Sequence, residues 1–351
     1  MLYGDVRRTR RAMRIDATDL RPLGRTTLRI TALGFGGAPL GNLFSELAEG
    51  EATSTVAAAR RAGLNFFDTA PLYGHGLSEH RIGAALRHVP RESFVLATKI
   101  GRLLRPEPRA DGGLYRNILP FATEYDYSYD GVLRSVEDSL QRLGLARIDV
   151  LHIHDVDIWT HGSEAAMAER FAEVMHGGYR ALVRLREEKT VGAIGVGVNE
   201  WQACQRFAEQ GDFDCFLLAG RYTLLEQEAL KSFLPLCEKR QISVIIGGPF
   251  NAGILATGAV PGATYNYRPA PEPILDRVRR IEDVCRRHNV ALASAALQFP
   301  LHHPAVASVI PGARSVAEVT AGLAALEAEI PTEFWGDLKA AGLLSPDAPT
   351  P

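Results

Sequence analysis

Four polar residues of complementary chemistry stand where apolar runs end. Asp68, Lys99 and His154 each lie at the end of a short apolar run, and Tyr73 follows Asp68 in the segment Asp68-Thr69-Ala70-Pro71-Leu72-Tyr73-Gly74. A phenol is a poor proton donor or acceptor near neutrality because its unperturbed pKa is about 10, and a neighbouring ammonium lowers that value by stabilising the phenolate. Lys99 carries such a charge. A fall of two to three units takes roughly 3–4 kcal/mol, within reach of one desolvated cation a few ångströms away. Asp68 then holds Lys99 charged and oriented, and His154 hydrogen-bonds a substrate oxygen. Such a set moves one proton at a carbinol or carbonyl oxygen. A rival chemistry occupies the same stretch: His152-Ile153-His154-Asp155, with Asp157 and His161, has the donor types of a metal-dependent barrel hydrolase. That pattern ordinarily opens a barrel at its first strand, whereas here it falls on the fourth apolar run. His302-His303 precedes the eighth run and so belongs near the opposite rim. No metal is expected.

The elements that must present these groups show as apolar runs alternating with amphipathic helices. The runs are Ala32–Gly36, Asn65–Asp68, Phe94–Ile100, Asp149–Ile153, Ala193–Val198, Phe213–Leu218, Val244–Ile246 and Val306–Ile310. They are continuous rather than alternating, as parallel strands buried on both faces are. Thr53, Ser78 and Asp130 are candidate helix caps, and Gly63 and Gly144 follow helices with the freedom to turn left-handed. Eight β/α units without a linker between halves predict a closed (β/α)8 TIM barrel. A hairpin over Arg21–Thr31 is expected to plug its amino-terminal end. The barrel is read as one domain over residues 21–345, after a mobile extension over 1–20. Three connections, Gly101 to Tyr129, Asp155 to Tyr179 and Asn251 to Pro273, are too long for simple turns, and each follows a strand. Barrels carry their chemistry on such loops, so the substrate pocket is expected among the three.

Composition bounds the function classes. With 46% hydrophobic and 23% charged residues in 351, the chain is neither disordered, collagenous nor membrane-spanning, and a net charge of −2 gives no reason to expect nucleic acid. The basic cluster Arg7, Arg8, Arg10, Arg11 and Arg14 is followed by Asp16 and Asp19 rather than by an apolar stretch, which reads as a cytoplasmic tail and not as a signal peptide. Cys204, Cys215, Cys237 and Cys285 lie far apart with no paired spacing, as buried thiols in a reducing compartment do.

The chain resembles the aldo-keto reductase superfamily. The resemblance runs from Pro22-Leu23-Gly24-Arg25-Thr26 to Ile310-Pro311-Gly312-Ala313-Arg314, and is strongest over Asn65-Phe66-Phe67-Asp68-Thr69-Ala70-Pro71-Leu72-Tyr73-Gly74 followed by Ser78-Glu79, Gly83 and Leu86. Other matching blocks are Leu33-Gly34-Phe35-Gly36-Gly37, Thr98-Lys99, Ile148-Asp149-Val150-Leu151-His152-Ile153-His154 and Ile194-Gly195-Val196-Gly197-Val198-Asn199. It implies a (β/α)8 fold, hydride transfer to or from a nicotinamide, and catalytic roles for Asp68, Tyr73, Lys99 and His154. His154 is preferred to His152 because it lies five residues after Asp149 and reaches the rim.

The same resemblance implies cofactor contacts at Gly36, Gly37, Asp68, Asn199, Gly247, Gly248, Pro249, Phe250, Gly253, Gly312, Arg314 and Glu318. Ala219 stands where a Gln is common, and Gly247-Gly248-Pro249-Phe250 replaces a stacking Tyr, so the nicotinamide site is expected to be built differently. Gly312 lacks the Lys that NADPH-preferring relatives place there, and Glu318 stands in place of an Arg. A lost charged hydrogen bond costs roughly 1.5–3 kcal/mol. NAD is therefore favoured over NADP, although Arg314 could still grip a phosphate. These features resemble a sub-branch containing D-threo-aldose 1-dehydrogenase (L-fucose or galactose dehydrogenase) and pyridoxal 4-dehydrogenase. That implies oxidation of a cyclic hemiacetal, a sugar or a pyridoxal-like ring, to a lactone. The expected substrate contacts are Tyr73, His154, Tyr125, Tyr127, Trp159 and Asn251. The alternative within the family is an NADPH-dependent aldehyde or ketone reductase.

Overall fold

The apolar runs form eight parallel strands in a computed structural model that describes residues 14–351. They are β1 (Phe35–Gly36), β2 (Phe66–Asp68), β3 (Val95–Ile100), β4 (Val150–His154), β5 (Ala193–Val198), β6 (Cys215–Ala219), β7 (Ser243–Gly247) and β8 (Val306–Ile310). Each pairs with the next in sequence order. The ring closes through parallel bridges Leu33↔Val309 and Gly36↔Gly312, with Gly34 N–H donating to Val309 O (2.9 Å) and Gly36 N–H to Pro311 O (3.0 Å). A side chain at Gly34 would place its Cβ 2.7 Å from Ile310 Cγ2, so closure here depends on glycine.

Alternate strand residues fill the barrel interior. Phe66, Val95, Val150, Ala193, Cys215 and Ile245 pack there with Leu23 and Ile30. Those last two come from the hairpin Leu20–Pro22 with Arg29–Thr31, which plugs the amino-terminal end as the sequence predicts. The outer ring consists of α1 (Glu49–Arg61), α2 (Leu77–Leu86), α3 (Tyr129–Leu143), α4 (Tyr179–Glu187), α5 (Trp201–Gln210), α6 (Phe233–Arg240), α7 (Leu292–Leu301) and α8 (Val316–Glu327). In α3, Val132, Val136 and Leu143 recur at helical spacing and are buried, and Gly144 ends the helix at φ +62.

Helix starts differ from the expected caps because those side chains find other partners. The α1 helix begins at Glu49, and the Thr53 hydroxyl donates back to Glu49 O (2.6 Å). Ser128, not Asp130, caps α3 by accepting from Gly131 N–H. Ser78 lies inside α2, where its hydroxyl donates to Gly37 O (2.7 Å).

Two further expectations are corrected. Of the extension read as mobile over 1–20, residues 1–13 lie outside the described residues, but 14–20 are pinned to the barrel. Ile15 and Ala17 are buried, Leu33 N–H donates to Ala17 O (3.0 Å), and Ala32 N–H donates to Asp19 O (2.9 Å). The backbone leading into β1 needs these partners on its free side. At the other end the packed chain runs past 345 to the buried Ala348. The three long connections carry secondary structure of their own. The first folds as a hairpin, Arg102–Pro106 with Phe121–Tyr125, and the third carries the hairpin Thr264–Tyr265 with Arg268–Pro269. The second is a helix, Glu164–Glu173, that runs through a π-turn at Val174–Gly178 into α4. All four cysteines are buried and free, and no helix among the described residues is long and apolar enough to cross a membrane.

Candidate active site

Parallel register carries three of the four polar residues to one rim: Asp68 ends β2, Lys99 is the penultimate residue of β3 and His154 ends β4. Lys99 Nζ donates to Asp68 Oδ2 (2.7 Å) and to Thr69 O (2.8 Å), and the pair is buried. Tyr73 arrives on the loop after β2. Its ring centre lies 4.8 Å from Lys99 Nζ, and the His154 ring stands edge-on to it at 5.9 Å and 82°. Gly74 permits the turn: its φ is +65, and a Cβ would fall 2.6 Å from Gly41 O.

The Ser78-Glu79 pair explains how the strand ends are held in place. Ser78 Oγ meets Thr69 Oγ1 at 2.8 Å, and donates to Gly37 O. Glu79 is buried, accepting from Thr98 Oγ1 (2.7 Å) and from Arg142 Nε (2.5 Å). One turn of α2 thereby fixes the ends of β1, β2 and β3, and with them Asp68 and Lys99.

The electrostatics overturn one expectation. Burial, then the negative charge of Asp68 and the neighbouring Tyr115 and Asp155, hold the Tyr73 phenol well above its ordinary value. Burial and Asp68 outweigh what Lys99 contributes, and Asp68 at 2.7 Å offsets much of the cation's charge. Burial, then Arg102 and Lys99, push His154 well below its usual value, so its imidazole is neutral. His152 is pushed down to about 3 by burial and Lys99. It points into the barrel, with Nε2 3.6 Å from Cys215 Sγ and Nδ1 4.0 Å from Asp68 Oδ1. The His-x-His pair thus serves two separate surroundings. Among the described residues no group of three or more His, Cys, Asp or Glu side chains is placed to hold a metal ion.

Above the four residues opens a cavity of about 370 Å³ lined by Tyr73, Lys99 and His154 together with Tyr115, Asp155 and Trp159. Trp159, an expected substrate contact, is among its lining residues. Three other expected substrate contacts are corrected. Tyr127 is fully buried, and its hydroxyl donates to His154 O (2.6 Å), so it props the strand end from behind. Tyr125 stacks on Tyr127 and lies beneath the guanidinium of Arg102, outside the cavity lining. Asn251 is buried, with Nδ2 donating to Gly220 O (2.9 Å) and Oδ1 accepting from Thr223 Oγ1 (2.6 Å), so its amide is spent joining the loops after β6 and β7. Sequence reasoning missed Tyr115, Tyr267, Arg102 and Asp155. The long loops gave a general signal for the tyrosines. In the sequence Asp155 stands out only as a donor type beside the His-x-His pair.

The cofactor residues divide in the same way. Gly36 and Gly37 face backbone: their N–H groups donate to Pro311 O and Asp68 O, and a Cβ would come within 2.8 Å of Ile310 O and 2.5 Å of Asp68 O. Their N–H groups join β1 to β8 on one side and to β2 on the other. Asp68 is likewise committed to Lys99 and does not line the cavity. Asn199 does line it, together with Gly197, Leu217 and Ala219, and its side-chain amide has no hydrogen-bond partner among the described residues. Gly248 (φ +54) lines a small adjoining cavity with Asn199 and Ala219. A floor of Gly197, Ala219 and Gly248 leaves room for a flat ring, and Asn199 offers an amide to a carboxamide, so these residues fit a nicotinamide.

At the far side a second cavity of about 410 Å³ is lined by Phe250, Gly312 and Glu318. Pro249 is buried behind it, and Gly253 (φ +109) has open space around its Cα. Gly312 cannot carry a Lys without displacing Pro39, whose Cγ would lie 2.6 Å from the new Cβ. Ser315 caps α8 by accepting Glu318 N–H on its Oγ (3.2 Å), and Glu318 Oε2 reaches back to accept Arg314 N–H (2.8 Å). The Arg314 guanidinium donates to Ser45 Oγ and to Glu46 O.

The family model described as "Aldo/keto reductase family" matches residues 32–342. Pyridoxal 4-dehydrogenase of Microbacterium luteolum is 42% identical over 95% of the chain and 100% of that protein. D-threo-aldose 1-dehydrogenase of a Pseudomonas species is 40% identical, covering 92% of the chain and 96% of that protein. Among solved structures, the holo form of an aldo-keto reductase from Bacillus halodurans superposes with a TM-score of 0.72 at 25% identity, covering 92% of this chain and 96% of that one.

Proposed function

The chain belongs to the aldo/keto reductase family and is an oxidoreductase, and from that premise we propose that it oxidises a cyclic hemiacetal, an aldose or a pyridoxal-like ring, to a lactone with NAD. The observation that carries this reading is the Asp68–Lys99 ion pair buried beneath Tyr73, with neutral His154 across the same small cavity. The names of the two relatives support the substrate class.

Each residue has a separate task. His154, neutral, donates a hydrogen bond to the reacting oxygen and sets the carbon's orientation. Its Nδ1 is buried without a partner among the described residues, which leaves Nε2 to face the cavity. Tyr73 moves the proton: its phenolate takes the substrate hydroxyl proton in oxidation, and its phenol returns a proton in reduction. Lys99 stabilises the phenolate when it forms, and Asp68 holds Lys99 in place. Tyr115, Tyr267 and Trp159 wall the cavity and limit water. Asn199, Gly248, Phe250 and Gly312 would hold the dinucleotide, which when bound supplies the hydride acceptor or donor.

Three features favour NAD over NADP. Gly312 excludes a Lys for steric reasons, Glu318 places a carboxylate at the phosphate end, and Arg314 is engaged by Ser45 and Glu46. A second reading, an NADPH-dependent carbonyl reductase, draws on the high-lying Tyr73 phenol, which is a ready acid, and on Arg314 turning from Ser45 to a phosphate. Fluorescence titration of the purified protein with NADH and NADPH at one ionic strength separates the two. Tighter NADH binding followed by NAD-dependent turnover of aldoses or pyridoxal is expected. Tighter NADPH binding, with aldehyde reduction outrunning sugar oxidation, would replace this reading with the second.

A further inference from the structure

Asp155 is a buried charge that the proton transfer does not use. It follows His154 directly, with its backbone in the left-handed region (φ +55), which Asp enters more readily than most side-chain-bearing residues. Its N–H donates to Gly197 O (2.9 Å), which locks this turn at the ends of β4 and β5. The carboxylate lines the cavity, with Oδ2 2.8 Å from Arg102 Nη2 and 3.4 Å from His154 Nε2. Both contacts run through Oδ2, and Arg102 Nη2 also donates to Tyr125 Oη (3.3 Å). A carboxylate has about four acceptor sites, so one that lines a cavity can take a ligand group that donates a hydrogen bond while Arg102 holds it in place.

The spacing identifies that group. On the reading above, His154 Nε2 meets the reacting oxygen, and Asp155 Oδ2 stands 3.4 Å from that nitrogen on the same cavity wall. Two gauche hydroxyls on adjacent carbons stand about that far apart, so a ring whose reacting oxygen sits on His154 offers its neighbouring hydroxyl to Asp155. Resting on the hemiacetal reading above, we propose that Asp155, held by Arg102, is a specificity-determining residue that selects aldoses bearing a free hydroxyl on the carbon next to the anomeric one.

The test compares L-fucose or D-galactose with its 2-deoxy analogue, using NAD and the full-length protein. The parent enzyme is expected to prefer the hydroxylated sugar by about 100-fold in kcat/KM, as for a charge-assisted hydrogen bond lost to one partner. In Asp155→Asn the hydroxylated sugar is expected to lose about tenfold more kcat/KM than the 2-deoxy sugar, mainly through KM. The double variant Asp155→Leu/Arg102→Met removes the pair together and should discriminate less than threefold. Equal kcat/KM for the two sugars in the parent, or an equal fall for both in the variants, overturns the proposal and leaves Asp155 a structural partner of Arg102. Turnover of pyridoxal with every aldose refused also overturns it while the hemiacetal reading stands. Failure to oxidise any hemiacetal despite NADH binding overturns both.

Discussion

Tyr73 is asked to give and take a proton in surroundings that hold its phenol high. Burial and Asp68 outweigh Lys99, so the protonated form prevails at neutral pH. Oxidation needs the phenolate, and its kcat/KM is therefore expected to rise about tenfold per pH unit on the alkaline side, while reduction holds up at neutrality. A pH–rate profile flat from 7 to 10 in the oxidative direction would remove Tyr73 as the base. Tyr73→Phe should lose about 10²- to 10⁴-fold in kcat with NADH affinity unchanged, since only proton transfer is removed. His152 makes a separate prediction about stability. Its native pKa is pushed down to about 3 from an ordinary 6.5, so as pH falls below 6.5 the unfolded chain takes up a proton that the native state refuses. Stability is lost across that window, by about 2 kcal/mol between pH 6.5 and 5. Urea titrations of the parent and His152→Gln at pH 7 and 5 measure it: the variant's stability relative to the parent should improve by about that amount at pH 5.

Among the elements, the segment between β3 and α3 works from behind the site. Tyr127 lies under the strand end that carries His154, and the glycines of the π-turn let it be covered closely: a Cβ at Gly178 would stand 2.6 Å from Tyr127 O. The π-turn admits an extra residue without ending the helix, which keeps Glu173 beside the segment, where its Oε1 accepts Tyr127 N–H (2.9 Å). Tyr127→Phe leaves the buried His154 carbonyl without that donor and is expected to cost about 1–3 kcal/mol of stability. Substrate KM should stay within twofold. A large rise in KM with stability intact would return Tyr127 to the substrate contacts.

Over the whole molecule the barrel is closed by glycine-rich backbone at β1 and β8 and plugged from below by the Leu20–Thr31 hairpin, and residues 14–19 bind both. A chain beginning at Leu20 loses the burial of Ile15 and Ala17 and two closing hydrogen bonds. It should be about 2–4 kcal/mol less stable in denaturant, with KM for substrate unaltered because the site lies at the opposite rim. Unchanged stability would show that the plug alone closes the barrel.

The sequence by itself determined the barrel and the four residues at its rim. Short continuous apolar runs alternating with amphipathic helices are best used as strands covered on both faces, and strand-end positions follow from where each run stops. Asp68, Lys99 and His154 could therefore be read from the chain. What lies across the cavity depends on loops whose side chains choose among several partners at similar energy, and only the tertiary structure decided those. Tyr127 and Asn251 were drawn to buried backbone carbonyls, which cost more to leave unpaired than a surface loop gains by facing a ligand. Asp155 was turned into the cavity by a left-handed backbone that no local pattern predicts, and the charge of Lys99 was largely cancelled by the same Asp68 that positions it. Spacing along a chain tells which residues share a rim. The balance of burial against neighbouring charge, which sets what each can do there, exists only once the chain has folded.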